Sequence, residues 1–136
     1  MTKMIFVNLP VTDLAAATRF YDAIGCQKNE QFSNDQASSM VWSDAIYFHL
    51  LTQNFFKTFT DLPLADARSV CGALYALSFD DRAEVDRTAE AARGAGGAVD
   101  LRPATDMEWM YSRQIADPDG NILELVWMNV GAMAAG

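Results

Sequence analysis

A single histidine, His49, and only two cysteines, Cys26 and Cys71, occur among 136 residues. A protein-bound divalent ion takes about three or four nitrogen, oxygen or sulfur ligands, and an iron-type facial triad needs two histidines. One histidine does not supply that set, and a symmetric dimer with two sites still has one per site. The same scarcity leaves little room for a serine or cysteine triad, and the chain has no Gly-x-Ser-x-Gly elbow. The cysteines are widely spaced and in no Cys-x-x-Cys pattern, so they read as reduced thiols packed like small apolar groups. No Gly-x-x-x-x-Gly-Lys loop is present for nucleotide phosphates, and Gly94, Gly96 and Gly97 follow a helical pattern and read as its stop. Basic residues are also few, ten against eighteen acids, for a net charge of −8. Such a surface repels phosphate backbones, so nucleic acid is not expected as a partner. No apolar run approaches membrane-spanning length and no signal peptide is evident at Met1 to Phe6, so the expectation is a cytoplasmic protein without a membrane partner.

What is present is ordinary globular composition, 51% hydrophobic and 21% charged, enough for one domain or two small modules. Residues 4–11 read as a strand, and Pro10, which has no N–H to give a sheet, marks its end or an edge. Thr12 or Asp13 caps a helix to about Ile24, with Leu14, Ala17, Tyr21 and Ile24 at helical spacing and Gly25 as the stop. Mixed strand material follows from Cys26 to Leu51, with turns at Asn34-Asp35 and Ser43-Asp44 separating strands at Met40–Trp42 and Ile46–Leu51. In the connector, Phe55, Phe56 and Phe59 have helical spacing, suiting a short helix on the core or a lid. The opening pattern then returns. Leu74–Phe79 reads as a strand, Asp81 with Glu84 as a capping arrangement, and Val85, Ala89 and Ala92 as a helix stripe. Ala98–Leu101, Trp109–Ile115 and Ile122–Met128 are further strands.

Strand, helix, three strands thus occurs twice. The sequence predicts an α+β fold of two βαβββ modules, residues 1–52 and 72–129, with a helical connector at 53–71 and a flexible tail at 130–136. Neither module buries its sheet face alone, so the expected product is a curved mixed sheet with helices outside and a central cavity that takes a ligand. Asp117-Pro118-Asp119-Gly120 is a tight turn ahead of the last strand, and that strand carries one carboxylate, Glu124, inside an apolar run. An unpartnered polar group there costs on the order of 2–7 kcal/mol, so Glu124 either reaches solvent or points into a cavity and binds something.

Val11-Thr12-Asp13-Leu14 with Phe20-Tyr21 and Gly25, together with Asp117-Pro118-Asp119-Gly120-Asn121 and Glu124, resembles the vicinal oxygen chelate superfamily of glyoxalase I, bleomycin resistance proteins and extradiol dioxygenases. The resemblance spans residues 4–128 and implies paired βαβββ modules with a site on the inner sheet face. It also implies metal ligands on the first and later strands of each module. Carried over to this chain, those positions fall on Phe6, Leu74, Leu50 (with His49 next door) and Glu124, of which only Glu124 is a ligand type. Strand alternation then turns His49 away from the cavity if Leu50 faces it.

The expected site is therefore metal-free and without cofactor, an apolar floor of Phe6, Leu50 and Leu74 bordered by Asn8, Trp42, Trp109, Tyr111, Arg113 and Glu124. Such walls suit a small organic molecule held by stacking and hydrogen bonds. Arg113 and Glu124 could alternatively pair with each other. Three functions stay open: a homodimeric binding protein of the bleomycin-resistance kind; a lyase, isomerase or dioxygenase with Glu124 as base or as ligand of an atypical metal site; and an interaction protein that has lost its chemistry.

Overall fold

A computed structural model of the chain describes residues 2–129 and Gly131. The chain divides into two compact units, Met1–Asp66 and Ala67–Gly136, called modules 1 and 2 below. Apart from Gly131, the expected tail lies outside the described residues. The fold is α+β, with one mixed open sheet in each module.

Module 1 opens with β1 (Ile5–Val11) and α1 (Leu14–Ala23). Asp13 starts the helix by accepting the Ala16 N–H at 3.0 Å, satisfying one of the first-turn donors that a helix leaves free. Gly25, at φ +116°, ends it. Ala17, Phe20 and Tyr21 form the buried stripe. Then come β2 (Gln27–Asn29), a 3-10 turn at Glu30–Phe32, β3 (Ala37–Val41) and β4 (Ile46–Thr52). The sheet order is β1-β4-β3-β2, with β1 parallel to β4 and the other pairs antiparallel. A single helical turn, α2 (Gln53–Phe56), follows β4. The phenylalanine spacing thus gives one turn and an edge-on Phe55–Phe59 contact at 5.2 Å, while Phe59 and Leu62 are exposed.

Module 2 repeats the plan. Its β5 (Leu74–Phe79) leads into α3 (Arg82–Gly94), capped by Asp81, which accepts the Glu84 N–H at 2.8 Å. Val85, Ala89 and Ala92 are fully buried, as the stripe predicts. After β6 (Ala98–Val99) the chain forms β7 (Thr105–Met107), β8 (Met110–Ala116) and β9 (Ile122–Met128). The order is β5-β9-β8-β6, with β7 also on β8 and β5 parallel to β9. β7 is a short strand the sequence did not suggest, all of it exposed and thus without an apolar alternation to reveal it.

Asp117 organises the turn before β9. Its buried carboxylate accepts the N–H groups of Asp119 and Asn121 and the Asn121 side-chain amide, each at 2.9 Å. Gly120 closes the turn by donating to the Asp117 carbonyl at 2.9 Å. Arg68 lies over it, 3.6 Å from the Asp119 carboxylate and 3.4 Å from the Pro118 carbonyl. The turn therefore fixes the start of β9 and, through it, the placement of Glu124.

Candidate functional site

Successive strand residues point to opposite sheet faces, and residues paired across strands point to the same one. In module 1, Ser38 on β3 meets Thr18 of α1 oxygen to oxygen at 2.8 Å, and Phe48 on β4 lies 5.1 Å from the Tyr21 ring. Ser38, Phe48 and their register partners Leu50, Leu9, Val7 and Met40 therefore face α1. The opposite, open face carries Phe6 and Asn8 from β1 with their partners Tyr47 and His49 from β4.

This reverses one expectation. Leu50 is fully buried on the helix side, and His49 is the residue on the open face. Phe6 stacks on Tyr47 at 4.9 Å and 24° and approaches the His49 ring at 5.2 Å. Burial lowers the His49 pKa below the ordinary imidazole value, because a partly dehydrated ring holds a proton less readily. Trp42 also sits elsewhere, beside Gly25 at the end of α1, where a β-carbon on Gly25 would lie 3.6 Å from the indole ring.

In module 2, Tyr111 and Arg113 of β8 reach α3. The Tyr111 hydroxyl donates to Asp86 at 2.7 Å, and the Arg113 guanidinium donates to Asp86 at 3.0 Å and Asp100 at 2.9 Å. Both residues are thus on the helix face and hold the module together, instead of bordering a binding surface. Glu124 and Leu74 take the opposite face, with Glu124 paired in register to Ala76 and Gln114. The Gln114 amide donates to the Glu124 carboxylate at 3.4 Å, and the carboxylate is half-buried. Arg113 and Glu124 therefore do not pair, since the sheet lies between them. Trp109 belongs to the turn between β7 and β8, where its carbonyl accepts the Asn129 N–H at 2.8 Å.

The two modules match position for position. Phe6 and Leu74 each stand seven residues before the helix-capping aspartate of their own module. The strand position paired with Asn8 is His49, and the position paired with the corresponding Ala76 is Glu124. At these matched positions each open face presents a hydrocarbon side chain on its first strand, Phe6 or Leu74, and an ionisable one on its last, His49 or Glu124. The signal for His49 was this register, which a single strand read by itself does not contain.

The sequence profile described as Glyoxalase/Bleomycin resistance protein/Dioxygenase superfamily matches residues 3–125. The chain belongs to that superfamily. Solved structures agree on the fold. A glyoxalase-related enzyme from Fulvimarina pelagi aligns with a TM-score of 0.76 at 23% identity, over 93% of this chain and 88% of that one. The fosfomycin resistance protein FosX from Mesorhizobium loti gives 0.66 at 19%, over 98% and 96%. TnmS3, an antibiotic binding protein from Streptomyces sp. CB03234, gives 0.63 at 20%, over 94% and 97%. No curated protein sequence matches the chain.

The metal positions implied by the superfamily resemblance can now be tested against the donors present. Phe6 and Leu74 offer none, His49 offers an imidazole and Glu124 a carboxylate. Among the described residues no three of His, Cys, Asp or Glu come together as a group able to hold an ion. One nitrogen and one carboxylate fall short of the three or four ligands a resident divalent ion takes, so the residues do not fit that metal. Among the described residues no helix is long and apolar enough to cross a membrane.

Proposed function

We propose that this chain binds a small organic molecule on its open sheet faces without a protein-bound divalent metal. The observation that supports this most is the pair of hydrocarbon side chains, Phe6 and Leu74, at the first-strand positions, both about half exposed. Phe6, Tyr47 and His49 add ring surface, while Asn8, Gln114 and Glu124 add a few polar fixtures. Apolar walls with sparse polar groups suit organic ligands. Superfamily members described as an antibiotic binding protein and a fosfomycin resistance protein lend the reading weight. In a thermal-shift screen, organic compounds should raise the unfolding midpoint and Ni, Zn, Mn and Fe ions should leave it unchanged. Ligand at about a hundred times its dissociation constant adds roughly 2.7 kcal/mol of stability, a readable shift. A screen in which no class of organic molecule stabilises the protein would refute the reading.

A second reading is favoured by one observation, the half-buried Glu124 carboxylate with Gln114 as its neighbour on the open face. A carboxylate so placed can take a proton from carbon next to a carbonyl, the step a lyase or isomerase needs. Glu124→Gln separates the two. It abolishes turnover if Glu124 is a base, whereas a binding protein shows only an altered affinity.

A further inference from the structure

We propose that the open face of module 1 binds a planar aromatic cation and that His49 gates this binding, neutral imidazole admitting the cation and imidazolium expelling it. The proposal rests on the small-molecule reading above and narrows it to a ligand class and a control. Three rings meet on one side of β1 and β4, with Phe6 between Tyr47 at 4.9 Å and His49 at 5.2 Å. Phe6 is 48% exposed, which leaves ring surface for a further ring. An aromatic face is the negative part of its quadrupole and attracts positive charge. The open-face positions of β1, β3 and β4 hold no lysine or arginine, and the whole chain carries −8. A cation arriving at those positions meets no lysine or arginine to repel it, and an anion meets none to hold it. Asn8 spends one of its two amide N–H groups on the Phe6 carbonyl at 3.3 Å, and its amide oxygen can accept from a ligand N–H.

The gate follows from what surrounds His49. Phe6 and Asn8 face it from β1, Ser39 from β3 and Tyr47 from its own strand, and none is a carboxylate. The 3-10 turn packed on β3 brings Glu30, which is paired with Lys28 at 3.6 Å. α2, packed on β1 and β4, has no titratable side chain. With no carboxylate among those neighbours to neutralise it, an imidazolium beside Phe6 sets a like charge against a bound cation in a partly dehydrated place, where charges are felt more than in water. Acidification through the His49 titration therefore weakens cation binding.

The test titrates the intact chain with N-methylacridinium, whose charge is fixed at every pH, by fluorescence from about pH 8 to 5, the range a histidine spans. The expected dissociation constant rises roughly fivefold or more toward pH 5, the size of a typical coupling between two like charges. His49→Gln should remove the slope whatever its absolute affinity. Phe6→Leu, which keeps apolar volume and loses the ring, should weaken binding at pH 8 by about tenfold, as a lost cation–π contact would. Planar 2-naphthoate, an anion, should bind far more weakly than the cation. A flat pH profile in the wild-type chain, a slope that survives His49→Gln, or equal affinity for naphthoate would overturn the proposal. If neutral or anionic compounds bind instead, the ligand class and the gate fall while the wider binding reading stands. If no organic compound stabilises the chain, both fall.

Discussion

At Gly120 the backbone turns with φ +97°, and a β-carbon there would lie 2.8 to 2.9 Å from backbone atoms of Ala67 and Arg68. Gly120→Ala combines a left-handed conformation that alanine resists with a clash against backbone that cannot rotate away. The expected loss is on the order of 2–4 kcal/mol, read by urea unfolding. An unchanged midpoint would show that the turn is not clamped. The need for glycine was legible in the sequence, because Asp-Pro-Asp-Gly specifies a tight turn. What Ala67 and Arg68 do there was not, since that contact joins residues far apart in the chain. His49 and Leu50 show the limit at its sharpest. Ile46 to Leu51 is nearly all apolar, so alternation within it does not say which parity faces the helix. The pairing of Leu50 with Ser38, the contact of Ser38 with Thr18 of α1 and that of Phe48 with Tyr21 decide it.

Among elements, the contact between β8 and α3 teaches the most. Asp86 and Glu90, four apart on α3, turn one helix face acidic toward β8, and Arg113 answers it with a side chain only 12% exposed. The hydrogen bond from the Tyr111 hydroxyl, then those from Arg113, hold the Asp86 carboxyl below the usual carboxylate range, and Arg113 does the same for Asp100. Polar residues on a strand were read as lining a site, but here the helix supplies their partners. The spacing of Asp86 and Glu90 was the available sign. Because these carboxyls bind protons less readily in the fold than in the unfolded chain, their stabilisation is complete above about pH 4 and lost as the pH falls below it. Arg113→Met should cost about 1–2 kcal/mol at neutral pH, a figure kept small because the partners are largely solvated and screened. It should also flatten the acid limb of the stability profile. A variant as stable as the parent, with the same acid limb, would mean that this network contributes nothing. Elsewhere the elements were readable where a cap and a stripe coincide, as in α1 and α3. They were unreadable where a strand is only three exposed residues long, as in β7.

The molecule as a whole is a repeated unit whose copies have kept the fold and diverged in donors. Repetition was visible in the sequence because each helix is announced by an aspartate cap after a strand. The membership of the open faces was half visible: Phe6, Asn8, Leu74 and Glu124 lie there, while Leu50, Tyr111 and Arg113 face helices. The remainder depended on sheet register, a property of strand pairs. The ligand proposed for those faces is organic and held without a resident divalent ion. The compound giving the largest rise in melting midpoint should therefore be titrated into the protein before and after exhaustive treatment with EDTA. Metal-free binding predicts the same dissociation constant in both cases. Binding that disappears on chelation and returns with added Ni, Zn, Mn or Fe would contradict it.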